Sequence, residues 1–386
     1  MTSSKVEEIV KWRMGAAYDS PILNWRDRRL NFDNASALFF DNAGAITIDE
    51  SGLLLCTAPG RQNYDPLKRK RLIELAEDLF KARKGAPEPF SAFAAMQDAR
   101  LFPSVEYVGP PVDAVCAQLS YARTVQPHWR SRTEVILWPL AFSYRHWKLP
   151  DSVPAPWDQR RPELFWRGQP TGMSYILDED AEPIRTGIRS HRNWLMTFLT
   201  AEAAENEEMF DLWAPTYQRL EAVNLCQSIP GTDVRFVPMY NDDRKPMDIA
   251  AKYLGTDIVA ERLDKEAHWA AQQACKYILC LPGNDVATSL RMDLLSGGVM
   301  LMPRPFWECE WFFGLTPHVH YIPLRADLAD LEERLEWCRD NDQYCKEVAA
   351  AARAFALERF EPSIEFEVQK RITERMARQT IPIPAA

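Results

Sequence analysis

Four groups of residues combine a polar or charged side chain with a place just beyond an apolar run. Arg167 and Gly168 close the run Leu164-Phe165-Trp166, and Asn284, Asp285, Thr288, Ser289 and Arg291 follow the run that ends at Leu281. Asp98 comes after Phe93–Met96, and Arg192 opens a stretch of helical spacing from His191 to Ala204. In an open parallel sheet, ligands bind beyond the carboxyl ends of the strands, where all of these positions would fall. Three arginines and hydroxyls at helix starts, with no glycine-rich loop, suit a diphosphate held by side chains. The planar guanidinium fork pairs two phosphate oxygens at once. Each position also has an ordinary structural use. Arg167 could pair a carboxylate at a domain edge, Ser289 could satisfy an orphan N–H at a helix start, and Asp98 could be a turn residue.

Other chemistries are poorly supported. The six histidines (128, 146, 191, 268, 318, 320) have no metal-ligand spacing on a helix. His318 and His320 would share one strand face, where a packed or hydrogen-bonded pair is commoner than a metal site. No G-x-S-x-G, Walker A or H-E-x-x-H motif occurs. The eight cysteines lack any C-x-x-C and read as buried thiols of a reducing compartment. With 46 Lys and Arg against 55 Asp and Glu, the net charge is -9, the wrong sign for a dedicated nucleic-acid binder. Only 15 glycines among 386 residues argue against glycine-rich phosphate cradles, and 13 tryptophans must fill a core or line a groove. The beginning of the sequence has no signal-like apolar segment, and no long apolar run could span a membrane, so a cytoplasmic location is expected.

These residues need a scaffold, and the pattern supplies one. Phe93–Met96, Val135–Pro139, Glu163–Trp166, Lys276–Leu281, Val299–Met302 and Val319–Leu324 read as strands. Ala287–Ser296 and Asp327–Phe360 read as helical, with Gly297-Gly298 ending the first. Continuous apolar runs alternating with helices point to an α/β layered domain with a parallel sheet. Prolines 150, 154, 156 and 162 mark a linker, which places an N-terminal domain at 1–155 and a second at 156–360. The stretch 361–386 could pack back on the first. Lys68–Lys84 is a basic amphipathic helix whose apolar face would be Leu72, Ile73, Leu75, Ala76, Leu79 and Phe80. Such a helix can lie on an anionic inner-membrane surface, although a solvated domain surface is its commoner use.

The same segments carry a family resemblance. Phe165-Trp-Arg-Gly168 resembles the F-R-G signature of glycosyltransferase family 90, which includes Rumi-like protein O-glucosyltransferases and capsule xylosyltransferases. Cys275-Lys-Tyr277, Gly283, Ser289-Leu-Arg291, Leu294–Leu301, Glu310-Trp-Phe-Phe313, His320-Tyr-Ile-Pro323, Asp327-Leu328 and Asn341-Asp342 continue it in order. The resemblance runs from about 163 to 360 and fades before 130.

It implies a GT-B-like fold, two Rossmann-like domains facing a cleft, with the donor bound in the C-terminal half. It also implies inverting transfer of glucose or xylose from a UDP-sugar to a glycan or glycolipid hydroxyl, without a metal or other cofactor. Such an acceptor would be lipopolysaccharide core or a capsule precursor. Arg167, Gly168, Arg192, Asn284, Ser289 and Arg291 would then hold the donor, and Asp98 would correspond to the catalytic aspartate. A competing reading keeps the scaffold as a nucleotide- or glycan-binding protein without turnover, and a third is a hydrolase that releases sugar to water.

Overall fold

The computed structural model describes residues 2–23, 30–32, 43–49, 52–57, 66–82, 90–95, 105–107, 113–125, 133–139, 154–177, 183–185, 194–239 and 242–381. The chain forms two compact units: Met1–Lys148 with Trp307–Phe313 and Glu358–Ala386, and Leu149–Phe306 with Gly314–Leu357. These bounds differ from the expected division at 155/156 and 360/361. Trp307–Phe313 goes with the first unit because Trp307–Cys309 pairs antiparallel with Ala122–Thr124, and Arg123 Nε lies 2.6 Å from Glu308 Oε1.

In the first unit, helix α1 (Ser3–Met14) starts at Thr2, whose hydroxyl accepts the Lys5 N–H, and buries Val6, Ile9, Val10 and Met14 along one stripe. Strands β1 (Ala43–Asp49) and β2 (Gly52–Thr57) form a hairpin. Helix α2 (Pro66–Ala82) follows, then β3 (Phe90–Ala95), β4 (Cys116–Ser120) and β5 (Thr133–Leu137). The sheet order is β2-β1-β3-β4-β5, antiparallel as far as β3 and parallel from β3 to β5. Helix α2 buries Leu75, Ala76, Leu79 and Ala82, whereas Ile73 and Phe80 are exposed. The apolar face is therefore narrower than expected. Ile73 and Phe80 lie two turns apart on a solvent stripe that they share with Lys70, Glu77 and Lys81.

The second unit is built on β6 (Arg161–Gly168), followed by helix α3 (Gln218–Cys226), β7 (Thr232–Phe236), α4 (Lys245–Leu254) and α5 (Lys265–Gln273). Then come β8 (Cys275–Leu279), α6 (Leu290–Leu295), β9 (Val299–Pro303), β10 (Ile322–Leu324), α7 (Leu331–Asp340) and α8 (Asp342–Arg359). All five strands are parallel, in the order β7-β6-β8-β9-β10. In chain order that is 2-1-3-4-5, a doubly wound sheet whose direction of winding reverses between β6 and β8. Every residue of β9 is buried, as a strand covered on both faces requires. Along β6, Leu164 and Trp166 enter the main core, while Phe165 packs on Cys275 and Ile278 from the other face. The expected α/β class with parallel strands is thus observed.

Three local expectations are corrected. The helical stretch Asp327–Phe360 divides into α7 and α8 at Asn341, whose side-chain amide donates to the Trp337 carbonyl at 2.8 Å. The strand expected from Val319 begins only at Ile322, and His318 to His320 occupy a turn. In that turn His318 has φ of 63°, and His320 Nδ1 accepts the Thr316 N–H at 2.9 Å. The helix expected from His191 to Ala204 is, among the described residues, a short turn, Leu195–Thr197, running into a π-helical segment, Phe198–Glu202.

At the start of α8, the Asp342 carboxylate accepts hydrogen bonds from Lys276 Nζ (2.6 Å) and Trp157 Nε1 (2.9 Å), tying β8 and the entry to β6 to that helix. Burial alone would raise this carboxyl, but the bonds from Lys276 and Trp157 outweigh it and hold it below the usual carboxylate range. Asp342→Ala is expected to cost roughly 1.5 kcal/mol in chemical denaturation, the low end for hydrogen bonds to a charged group, because solvent reaches the carboxylate. Asp342→Asn keeps an acceptor for the indole and should cost less. Equal losses for the two variants would refute this account.

The last helix, α9 (Pro362–Gln379), is counted with the first unit and buries Val368, Ile372 and Met376 at four-residue spacing. Among the described residues no helix is long and apolar enough to cross a membrane.

Candidate active site

The loops that leave β6 and β8 meet at the winding reversal. Gly168 ends β6 at a place where the Trp166 ring lies back across the strand, and a Cβ there would stand 2.2 Å from that ring. Only glycine lets the chain pass. The loop that follows brings Gly172, at φ of 140°, beside the β8 loop, where its N–H donates to Asn284 Oδ1 at 3.2 Å. A Cβ on Gly172 would lie 3.6 Å from the Gly283 carbonyl oxygen. Here the glycine answers the backbone conformation rather than a shortage of space. Leu195 N–H donates to the Gly172 carbonyl at 2.8 Å and fixes the far side of the loop.

A shallow crevice lies between these loops, bordered by Thr171, Gly172, Met173, Arg219, Pro282 and Gly283 with Leu195, Tyr217 and Gln218 at its wall. Tyr217 is buried and stacked on Phe198, with centroids 5.0 Å apart. Gln218 donates to the Ala326 carbonyl at 2.8 Å. The wall is thus firmly held.

Of the residues singled out from sequence, Asn284 and Gly168 belong to these loops. Arg167 is engaged elsewhere. Its Nη2 lies 2.5 Å from Asp233 Oδ2, its Nη1 donates to the Trp166 and Asp233 carbonyls, and its guanidinium carbon lies 5.0 Å from the Phe165 ring centroid. Burial lowers the Arg167 pKa, partly offset by Asp233. Burial alone would raise the Asp233 carboxyl, but Arg167 and Arg235 together outweigh it and hold it low. Ser289 donates to Asp293 Oδ2 at 2.9 Å, and Arg291 is buried on α6. Asp98 and Arg192 lie outside the described residues.

Three participants carried no sequence signal. Arg219 sits in a helix of mixed polarity, Asp233 in a strand whose alternation with charges hid it, and Asp293 in an apolar helix. Asp293 is fully buried, and burial pushes its carboxyl up to about 6 despite hydrogen bonds from Cys280, Ser289 and Gln272. Among the described residues no three His, Cys, Asp or Glu are placed to hold a metal ion.

Residues 234–364 match the profile of glycosyl transferase family 90, a span that runs from β7 through α8 and includes the β8 loop. This segment is similar to glycosyl transferase family 90. The family 90 segment occupies about a third of the chain. Curated relatives include the uncharacterized protein 027R of Frog virus 3, 47% identical over 90 residues, which cover 21% of this chain and 9% of that protein. The O-glucosyltransferase LpsA of Dichelobacter nodosus is 49% identical over 61 residues, 16% of this chain and 19% of LpsA. The chain thus spans less than a fifth of the length of either. Among solved structures, HepE of Anabaena in complex with UDP-glucose shares 17% identity at a TM-score of 0.31, covering 39% of this chain and 43% of HepE.

Proposed function

We propose that the protein is an inverting glycosyltransferase that moves a sugar, glucose or xylose, from a UDP-sugar to a hydroxyl of a glycan or glycolipid acceptor, without a metal. The observation that carries this reading is the family 90 match falling on the β8 loop, whose Pro282 and Gly283 form one side of the crevice at the winding reversal. The names of the relatives, an O-glucosyltransferase among them, support glucose as the first sugar to test. Lipopolysaccharide core or a capsule precursor at the cytoplasmic face of a membrane is the acceptor class we favour.

In this reading the donor diphosphate lies across the loops after β6 and β8, with Gly168 and Asn284 beside it. Arg192, Ser289 and Arg291 are the further donor-binding residues proposed from the resemblance, together with Arg167, which would have to exchange a protein acceptor for a phosphate oxygen. The acceptor hydroxyl attacks the anomeric carbon while Asp98 takes its proton. The C–O bond to the diphosphate breaks in line, and UDP leaves with the bonding electrons. Groups held in place before that charge develops stabilise the transition state more than the ground state.

A thermal-shift screen against UDP, GDP, CMP, ADP and dTDP tests the donor class. A rise confined to UDP is expected, and ligand at 100 times its Kd adds about 2.7 kcal/mol. If no nucleotide moves the transition at saturating concentration, the donor reading is wrong. UDP release from UDP-glucose or UDP-xylose, measured with and without acceptor, then separates transfer from hydrolysis. Asp98→Asn should slow transfer by about 10²–10⁴-fold.

A further inference from the structure

One side chain holds both loops of the crevice. Arg219 extends from α3 with its guanidinium carbon 5.6 Å from the Trp166 ring centroid. Its Nη1 donates to the Gln169 carbonyl at 3.0 Å and to Thr171 Oγ1 at 2.5 Å, both in the loop after β6. Its Nε donates to the Pro282 carbonyl at 2.9 Å, and Nη2 reaches the Leu281 carbonyl at 3.4 Å, both after β8. Two strands that are neighbours in the sheet but distant in sequence thus send out loops that one planar fork joins, beside the Gly172–Asn284 bond. The fork geometry makes their separation rigid, because four bonds from a single plane leave the loops little freedom to slide. Gly283 is part of the arrangement, since a Cβ there would stand only 3.2 Å from Arg219 Nη2. The half-buried guanidinium also keeps a fixed positive charge in the lining of the crevice.

We propose that Arg219 is the positioning residue of the donor site: it sets the width of the opening between the two loops and places positive charge where a diphosphate would lie. This rests on the UDP-sugar reading above. A purely structural arginine would support the fold without regard to ligand. A positioning one should act on the donor and leave the acceptor alone.

The test compares wild type with Arg219→Met, which keeps the stem over Trp166 and removes every donor, and with Arg219→Lys, which keeps the charge but cannot span both loops. UDP affinity is measured by calorimetry, and KM for UDP-sugar and for acceptor by initial rates. Hydrogen exchange is followed in 169–173 and 281–284. Both variants are expected to weaken UDP binding and raise the donor KM at least about tenfold, with the acceptor KM unchanged, the scale of one lost charge-assisted contact. Exchange in both loops should quicken while α8 stays protected. If Arg219→Met does not accumulate as folded protein, Arg219→Lys carries the comparison alone. Wild type that binds UDP together with variants that bind it equally well would overturn the role given to Arg219 and leave the donor reading intact. Wild type that binds no nucleotide would remove the donor reading and this role with it.

Discussion

Glu365→Ala is expected to lower the unfolding midpoint of the first unit by on the order of 10 °C, from a loss of about 3–5 kcal/mol. Arg13 is fully buried on α1, and its two terminal nitrogens meet the two Glu365 oxygens on α9 at 2.7 and 2.5 Å. Arg359 approaches the same carboxylate at 3.9 Å. Deleting the carboxylate leaves two guanidinium groups in a dry interior with one fewer anion, and the desolvation of Arg13 is no longer offset by attraction. Glu310 offers partial relief. Burial pushes its carboxyl up to about 7, with Arg13 pulling it down and Glu365 pushing it up. Without Glu365, Glu310 should ionise more readily and soften the loss at high pH. The double change Arg13→Met with Glu365→Leu removes both charges together and should recover most of the stability, because a buried pair is often no better than an apolar one. The measurement is thermal unfolding with protease sensitivity of α1 as a unit-specific readout. A single variant as stable as wild type would show that the bidentate pair contributes nothing.

Asp293→Asn should stabilise the second unit, and only above mildly acid pH. Asp293 lies fully buried on α6, with Oδ1 accepting from Gln272 Nε2 at 2.5 Å and Oδ2 accepting from Ser289 Oγ at 2.9 Å. Burial raises its pKa from 3.8 to about 6, so the folded state holds this proton more tightly than the unfolded state. The stability that this proton contributes is complete below the unfolded value of 3.8 and is lost as pH rises through the folded value of about 6. A tenfold difference in proton affinity corresponds to about 1.4 kcal/mol, so wild type should lose about 3 kcal/mol across that window. Asparagine keeps an acceptor for Gln272 and offers an N–H to Ser289, as the protonated acid does, but carries no charge to bury. The stability difference between variant and wild type should therefore be small near pH 4, grow as pH rises, and level off above about pH 6. Denaturant titrations across that range would show it. A difference independent of pH would mean that the carboxyl titrates normally.

Much of the second unit was legible in the sequence because its strands are covered on both faces. Cys275–Leu279 and Val299–Pro303 are apolar almost throughout, with Lys276 alone breaking the first run at its start. The edge strand Thr232–Phe236 was not legible. It buries Val234 and Phe236 on one face and turns Asp233 and Arg235 to the other, and five residues of mixed polarity resemble a loop. The first unit was less legible, since its sheet mixes antiparallel with parallel strands.

The order of residue types along the chain determined the α/β class, the parallel strands and the family 90 motifs, because each depends on local patterning or on matched spacing. It also placed Gly168 and Asn284 at strand ends. What the side chains do there was decided only by tertiary structure. Arg167 turned to Asp233, 66 positions away in the chain, because a buried donor takes the acceptor that folding brings within reach. Arg219 reached the crevice because doubly wound topology sets β6 beside β8, with the whole of α3 to α5 between them in sequence. No local pattern announces such a neighbour, since the acceptors it joins are backbone carbonyls and a threonine hydroxyl, chemical groups that occur throughout the chain.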